Sequence, residues 1–258
     1  MMRAALVAFL LWAAPALAGE AELLEGLGAQ GCVIGADAAP ELRALADQAL
    51  GQGTARQQGD WVLLPEEICT IRLPQIETSL SFDDPELRKV ISDLDPASQE
   101  APGCFLDTSD LGFNLSLSRG WAPQQAFDEM NRFIAAMLIA GEMTFYSDDL
   151  LRTPMGFQRI SGPCADVADI DAMRRNSAQM VQHFGAYIRW QGETLTCGGG
   201  ATADFGAAAA KMSELSGGQT GNVWMPLEYL FIGLAAGWLE GAGPRARGLP
   251  RPPLCHYQ

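Results

Sequence analysis

The sequence predicts an α+β fold: two or three helix–β-hairpin units, winged-helix-like in outline, with C-terminal helices and disulfides holding them together. Two observations carry this. Stretches with apolar residues at helical spacing end at glycines and are followed by two short β-rich runs around a Gly or Asp turn. Six cysteines follow a leader-like N-terminus, and an even number in an exported chain implies disulfides.

In order along the chain, Leu23, Leu24 and Leu27 share one face of a short helix over residues 20–30, and Cys32-Val33-Ile34 is extended. Pro40 suits the first turn of a helix reaching about Leu50, with Leu42, Leu45, Ala46 and Ala49 on one side and Gly51 and Gly53 as its stop. A hairpin follows: residues 54–57, a turn at Gln58-Gly59-Asp60, then Trp61-Val62-Leu63-Leu64. Residues 84–95 read as a helix, with Pro85 in its first turn and Leu87, Val90, Ile91 and Leu94 along one face.

The pattern then recurs. Phe127, Met130, Ile134, Met137 and Leu138 line a helix that stops near Gly141. Met143-Thr144-Phe145-Tyr146 and Leu150-Leu151 flank a turn at Ser147-Asp148-Asp149. A third copy is expected as a helix from Ile170 to Phe184 and strands 186–190 and 194–197 around Gln191-Gly192. Beyond it lie an alanine-rich helix over 203–215, the apolar stretch 223–239, and a tail rich in Gly, Pro and Arg. The expected divisions are 1–18 (leader), 19–96, 97–164, 165–240 and the tail 241–258.

Residues 1–18 have the three parts of a secretory signal: Arg3, an apolar run from Ala4 to Ala14, and small residues at Ala16 and Ala18. Cleavage near Ala18 makes the product periplasmic or secreted, and an oxidising compartment favours structural bridges. Cys32, Cys69, Cys104, Cys164, Cys197 and Cys255 are widely spaced, without a C-x-x-C, which argues against a redox pair or a thiolate zinc site. Of the fifteen possible pairings, the sequence-near set is Cys32–Cys69, Cys104–Cys164 and Cys197–Cys255. The formal net charge of −14 repels phosphate backbones, so nucleic acid is not an expected partner.

Few residues suggest chemistry. Gly26-x-Gly28-x-x-Gly31 matches a dinucleotide-binding pattern, but no buried strand precedes it. His183 is expected near a helix C-terminus, where an imidazolium is favoured by the helix dipole; it is also the best-placed candidate for a general base. Asp166, Asp169 and Asp171 come nearest to a cation-binding cluster, although their spacing supplies too few oxygens for calcium and suits helix capping better. No cofactor is expected. Residues 223–239 could serve as a membrane or partner helix, yet Glu228 in that run opposes insertion by about 2.5–3.5 kcal/mol. The expectation is a non-enzymatic envelope protein that binds an unknown envelope partner. The alternatives are a small hydrolase using His183 with Asp148 or Asp149, and a membrane-tethered subunit using Val223 to Leu239.

Overall fold

Proline at a helix start and glycine just past its end mark out the two helices around which the chain is organised. The computed structural model describes residues 15–93, 103–145, 156–167, 169–194, 205–218 and 225–238. Helix α1 (Pro15–Gly28) leads into β1 (Val33–Gly35), α2 (Pro40–Gly51), β2 (Arg56–Gln58) and β3 (Trp61–Leu63). An extended strap connects these to α3 (Pro85–Asp93). Next come β4 (Phe105–Asp107), α4 (Thr108–Arg119), α5 (Pro123–Ile139), β5 (Met143–Phe145) and β6 (Gly156–Arg159). After a 3-10 turn at Gly162–Cys164 follow α6 (Ile170–Thr194), α7 (Phe205–Leu215) and α8 (Met225–Ala235).

The two three-stranded antiparallel sheets are built alike. Their strand orders are β1-β3-β2 and β4-β6-β5, so in each the last strand in sequence is the central one. Leu63 pairs with Val33 and Arg56, and Gln158 pairs in the same way with Phe105 and Thr144. The Leu64 amide donates to the Cys32 carbonyl at 3.0 Å, and the Arg159 amide donates to the Cys104 carbonyl at 2.7 Å. Both α2 and α5 are entered through Ala-Pro and end before a glycine at positive φ, +68° at Gly53 and +69° at Gly141. The Gly53 and Gly141 amides each bond the carbonyl three residues back, on Leu50 and Leu138. The first unit is therefore β–α–β–β, and the second has the same sheet with α4 added before α5, β–α–α–β–β.

Each unit carries one disulfide in the same place. Cys32 stands just before β1 and bonds Cys69 after β3, with Cα atoms 5.7 Å apart. Cys104 stands just before β4 and bonds Cys164 after β6, at 5.6 Å. Both bridges are the sequence-near pairs, and they suggest an oxidising, extracytoplasmic compartment. Cys197 and Cys255 lie outside the described residues.

Two expectations are corrected. The third helix–hairpin unit does not form: residues 186–190 continue α6, which runs unbroken from Ile170 to Thr194. Ala186, Tyr187, Ile188 and Trp190 favour a strand locally, but Met173, Met180, Phe184, Tyr187, Ile188 and Gln191 make one buried stripe at helical spacing. Gly185 lets that stripe approach the strap, since a Cβ there would sit 2.4 Å from the Ile71 carbonyl oxygen. Second, β5 pairs with residues 156–159, whereas the expected return strand at Leu150-Leu151 lies outside the described residues. Helix α1 is described from Pro15 onward. The expected cleavage point after Ala18 falls within this helix.

One apolar core spans both units. Helix α8 packs against α5, α6, α7 and β5, burying Met225, Tyr229 and Ile232. Phe231 meets Phe157 edge-on at 5.0 Å between ring centroids. The apolar stretch is thus a core helix, and among the described residues no helix is long and apolar enough to cross a membrane.

Candidate functional site

Helix α4 has a feature the rest of the described surface lacks. Its apolar residues, Leu111, Phe113, Leu115 and Leu117, alternate with a period of two. On a helix that spacing sends successive apolar side chains to opposite faces. Leu111 and Leu115 are fully buried against the core, while Phe113 and Leu117, one turn apart, are 65% and 67% exposed. Phe127 on α5 is also exposed. Arg119 ends α4 and ion-pairs with Asp84 and Glu86 at the start of α3. Burial acts to raise the Asp84 carboxyl, but hydrogen bonding with Glu86 and Arg119 outweighs it and holds the group below its ordinary range.

The strap between β3 and α3 borders the second feature. From residue 69 to residue 78 the chain runs without turn or bend. Its start is fixed by Arg189, whose buried guanidinium donates to the Leu64 and Cys69 carbonyls at 2.8 and 2.6 Å. Its end is fixed by Glu129 of α5, which accepts the Thr78 and Ser79 hydroxyls and the Ser79 amide. Burial opposes ionisation of Glu129, yet the bonds from Ser79 and Thr78 and the nearby Arg132 hold its carboxyl below the usual range. Beside the strap opens a cleft of about 910 Å³, lined by Glu25, Pro74, Gln75, Ile76, Glu77 and Arg132 among others.

A third feature is buried. Glu228 is fully enclosed, and its Oε1 accepts the Thr144 hydroxyl at 2.8 Å and the Phe145 amide at 2.7 Å. Burial pushes the carboxyl up to about 8 against the lowering effect of those two bonds. At neutral pH the acid is largely protonated, so α8 carries a neutral residue into the core.

The chain matches no protein-family model, no curated protein and no solved structure.

The residues singled out in the sequence are scattered. His183 is half-buried in the middle of α6, not near its end, because the helix continues to Thr194. The favourable dipole placement therefore does not hold. Asp148 and Asp149, its proposed partners, lie outside the described residues. Asp166, Asp169 and Asp171 are all exposed, and Asp169 stands immediately before the first residue of α6, where a cap belongs. Among the described residues no three His, Cys, Asp or Glu side chains gather as a metal site. The Gly26–Gly31 pattern has a structural role: Gly28 lies against the Thr70 carbonyl, leaving no room for a Cβ, and Gly31 turns the chain at φ +81°. The exposed pair on α4 escaped sequence reasoning because a two-residue period reads as a strand. The only signal was that Leu111/Leu115 and Phe113/Leu117 each also fit an i, i+4 spacing.

Proposed function

We propose that this is an exported, acidic envelope protein that acts by binding another protein, with the outer face of α4 as its docking surface. The observation that carries this reading is the exposure of Phe113 and Leu117. Large apolar side chains paired on an otherwise polar surface mark interaction sites. Phe127, on the helix packed against α4, is exposed as well, and aromatic anchors dominate binding energy at protein interfaces.

Two further points support the reading. The two units, each with its last strand central, have the strand order of a wing, and we take them as winged-helix-like scaffolds over residues 19–96 and 97–164. Their net charge of −14 directs them away from nucleic acid and towards protein. The disulfides and the signal-like residues 1–18 together favour a periplasmic or secreted location.

The test is a photo-crosslinking phenylalanine placed at Phe113, with a second chain carrying it at exposed Glu41 on α2 for comparison. Expressed with the native leader, the Phe113 chain should yield one discrete adduct absent from the Glu41 chain. Replacing Leu117 with Ser should abolish it without moving the thermal midpoint. Identical products from both positions, or none from Phe113, would remove α4 as the docking face.

A further inference from the structure

We propose that the first unit binds a small zwitterion, a free α-amino acid with a short aliphatic side chain, in the groove between α2 and the β2–β3 hairpin. The site is separate from the α4 face and takes a ligand of another class.

The groove stands out when the two units are matched position by position. Counted back from Gly53 and Gly141, Arg43 and Asp47 of α2 correspond to Asn131 and Ala135 of α5. Through the matching sheets, Gln57 and Val62 correspond to Phe145 and Phe157. In the second unit Asn131, Ala135, Phe145 and Phe157 are all buried, and α8 packs on this face: Phe231 meets Phe157, and Glu228 accepts the Phe145 amide. In the first unit Asp47 and Gln57 are exposed and Arg43 is half-buried, and the groove is an open cavity of about 230 Å³. Polar and charged residues thus stand where the sister unit places core, a departure that folding of the unit does not call for.

The lining carries two chemistries. Ile34, Ala46 and Val62 are buried and give it an apolar floor. Arg43 and Asp47 stand one turn apart on α2, and Asp60 belongs to the turn between β2 and β3. Arg43 and Asp47 have the spacing of a helical ion pair but do not form one. The guanidinium donates to the Ala36 carbonyl at 2.8 Å instead. That bond holds it at the groove and leaves its other donors for a carboxylate, which a guanidinium grips with two parallel bonds. Neither the Asp47 nor the Asp60 carboxylate has a partner among the described residues.

Size narrows the ligand. The cavity is smaller than the roughly 300–1,000 Å³ of sites for drug-sized molecules. At the roughly 30 Å³ that a water occupies, it takes about eight non-hydrogen atoms, which a peptide strand or a helix exceeds. Valine is of that size. Its carboxylate meets Arg43, its ammonium meets Asp47 and Asp60, and its side chain covers Ile34, Ala46 and Val62. A ligand with only one of the two charges forgoes the contacts of the other.

Nuclear magnetic resonance titration of the full chain compares L-valine with N-acetylvaline, which lacks the ammonium, and valinamide, which lacks the carboxylate. Valine should shift the Gly35 and Gly59 amide resonances with a Kd of about 1 mM or tighter, and each blocked derivative should bind at least about tenfold more weakly. Arg43→Gln should weaken valine about tenfold and end its advantage over valinamide. Asp47→Asn combined with Asp60→Asn should end the advantage over N-acetylvaline. The proposal is overturned if valine does not bind at millimolar concentration, if either derivative binds as well, or if the shifts lie away from this groove. It is also overturned if Arg43→Gln, with the parent's thermal midpoint, binds valine unchanged. If Arg43→Gln fails to fold, the amide shifts and the preference for valine in the parent chain decide. The Phe113 crosslink does not involve this groove, so either reading can fail without the other.

Discussion

The Glu228 carboxyl is bonded to the Thr144 hydroxyl, and neither residue is exposed at all. The same Oε1 takes the Phe145 amide, while Oε2 is buried without a partner. One side chain thus ties α8 to β5 of the second unit. Protonation of the free oxygen allows this in a dry core, because an ionised carboxylate there is costly.

This arrangement makes stability depend on pH. The carboxyl titrates near 4.5 when exposed and near 8 in the fold, so the folded state binds the proton more tightly. Its contribution is complete below about pH 4.5 and is lost progressively as pH rises to about 8, on the order of 3 kcal/mol by pH 7. Glu228→Gln keeps a neutral, similarly shaped group and should flatten that decline. Urea denaturation of both proteins at pH 5, 7 and 9 measures it; parallel losses in the two would place the titrating group elsewhere.

Gly185 provides a steric prediction. A methyl group there meets the Ile71 backbone oxygen at 2.4 Å, and backbone cannot swing aside as a side-chain tip would. Gly185→Ala should destabilise by about 1–3 kcal/mol even though alanine is the better helix former. Gly26→Ala in α1, with nothing within 4 Å, should be neutral or stabilising by up to about 1 kcal/mol. Thermal midpoints of the two variants should therefore move in opposite directions or differ clearly.

Arg189 acts through carbonyls more than through charge. Its carboxylate neighbours are 3.8 and 3.5 Å away on the largely exposed Glu66 and Glu193, and such pairs contribute little. Arg189→Met should cost about 2–3 kcal/mol by leaving the Leu64 and Cys69 oxygens unpaired, whereas Glu66→Gln should cost under about 0.5 kcal/mol. Equal effects in chemical denaturation would show that the ion pair matters as much as the carbonyl bonds.

The disulfides close loops of 37 and 60 residues. Loop entropy makes each worth about 4 kcal/mol, with little difference between them because the dependence on length is logarithmic. Cys32→Ser/Cys69→Ser and Cys104→Ser/Cys164→Ser should destabilise alike in denaturant. Peptide mapping of unreduced protein should recover both pairs, and any crossed pairing would contradict the fold.

Much of the architecture was legible locally. Pro40, Pro85 and Pro123 each begin a helix, Gly53 and Gly141 each follow one, and Gly59 turns the first hairpin at φ +58°. Such positions are governed by a residue's own φ and its own amide, so the chain displays them without knowing its neighbours. The two sequence-near disulfides were readable for a related reason: each closes one unit. The α4 face was not legible, because period-two spacing indicates a strand unless something else holds the segment in a helix.

By itself, then, the sequence determined the helix and hairpin of the first unit, the long helix of the second, the two bridges as its sequence-near pairs, and the acidity of the chain. Tertiary structure alone decided that residues 186–190 are helical, that Glu228 is a core acid, that β6 lies between β4 and β5, and that Phe113 and Leu117 face outward. Each of these depends on what packs against the residue from far along the chain: Ile71 against Gly185, Thr144 against Glu228, Cys104 against Arg159. Local preferences differ by under about 1 kcal/mol per residue. Burying one large side chain or satisfying a buried polar group is worth more, so where the two disagreed the distant contact prevailed.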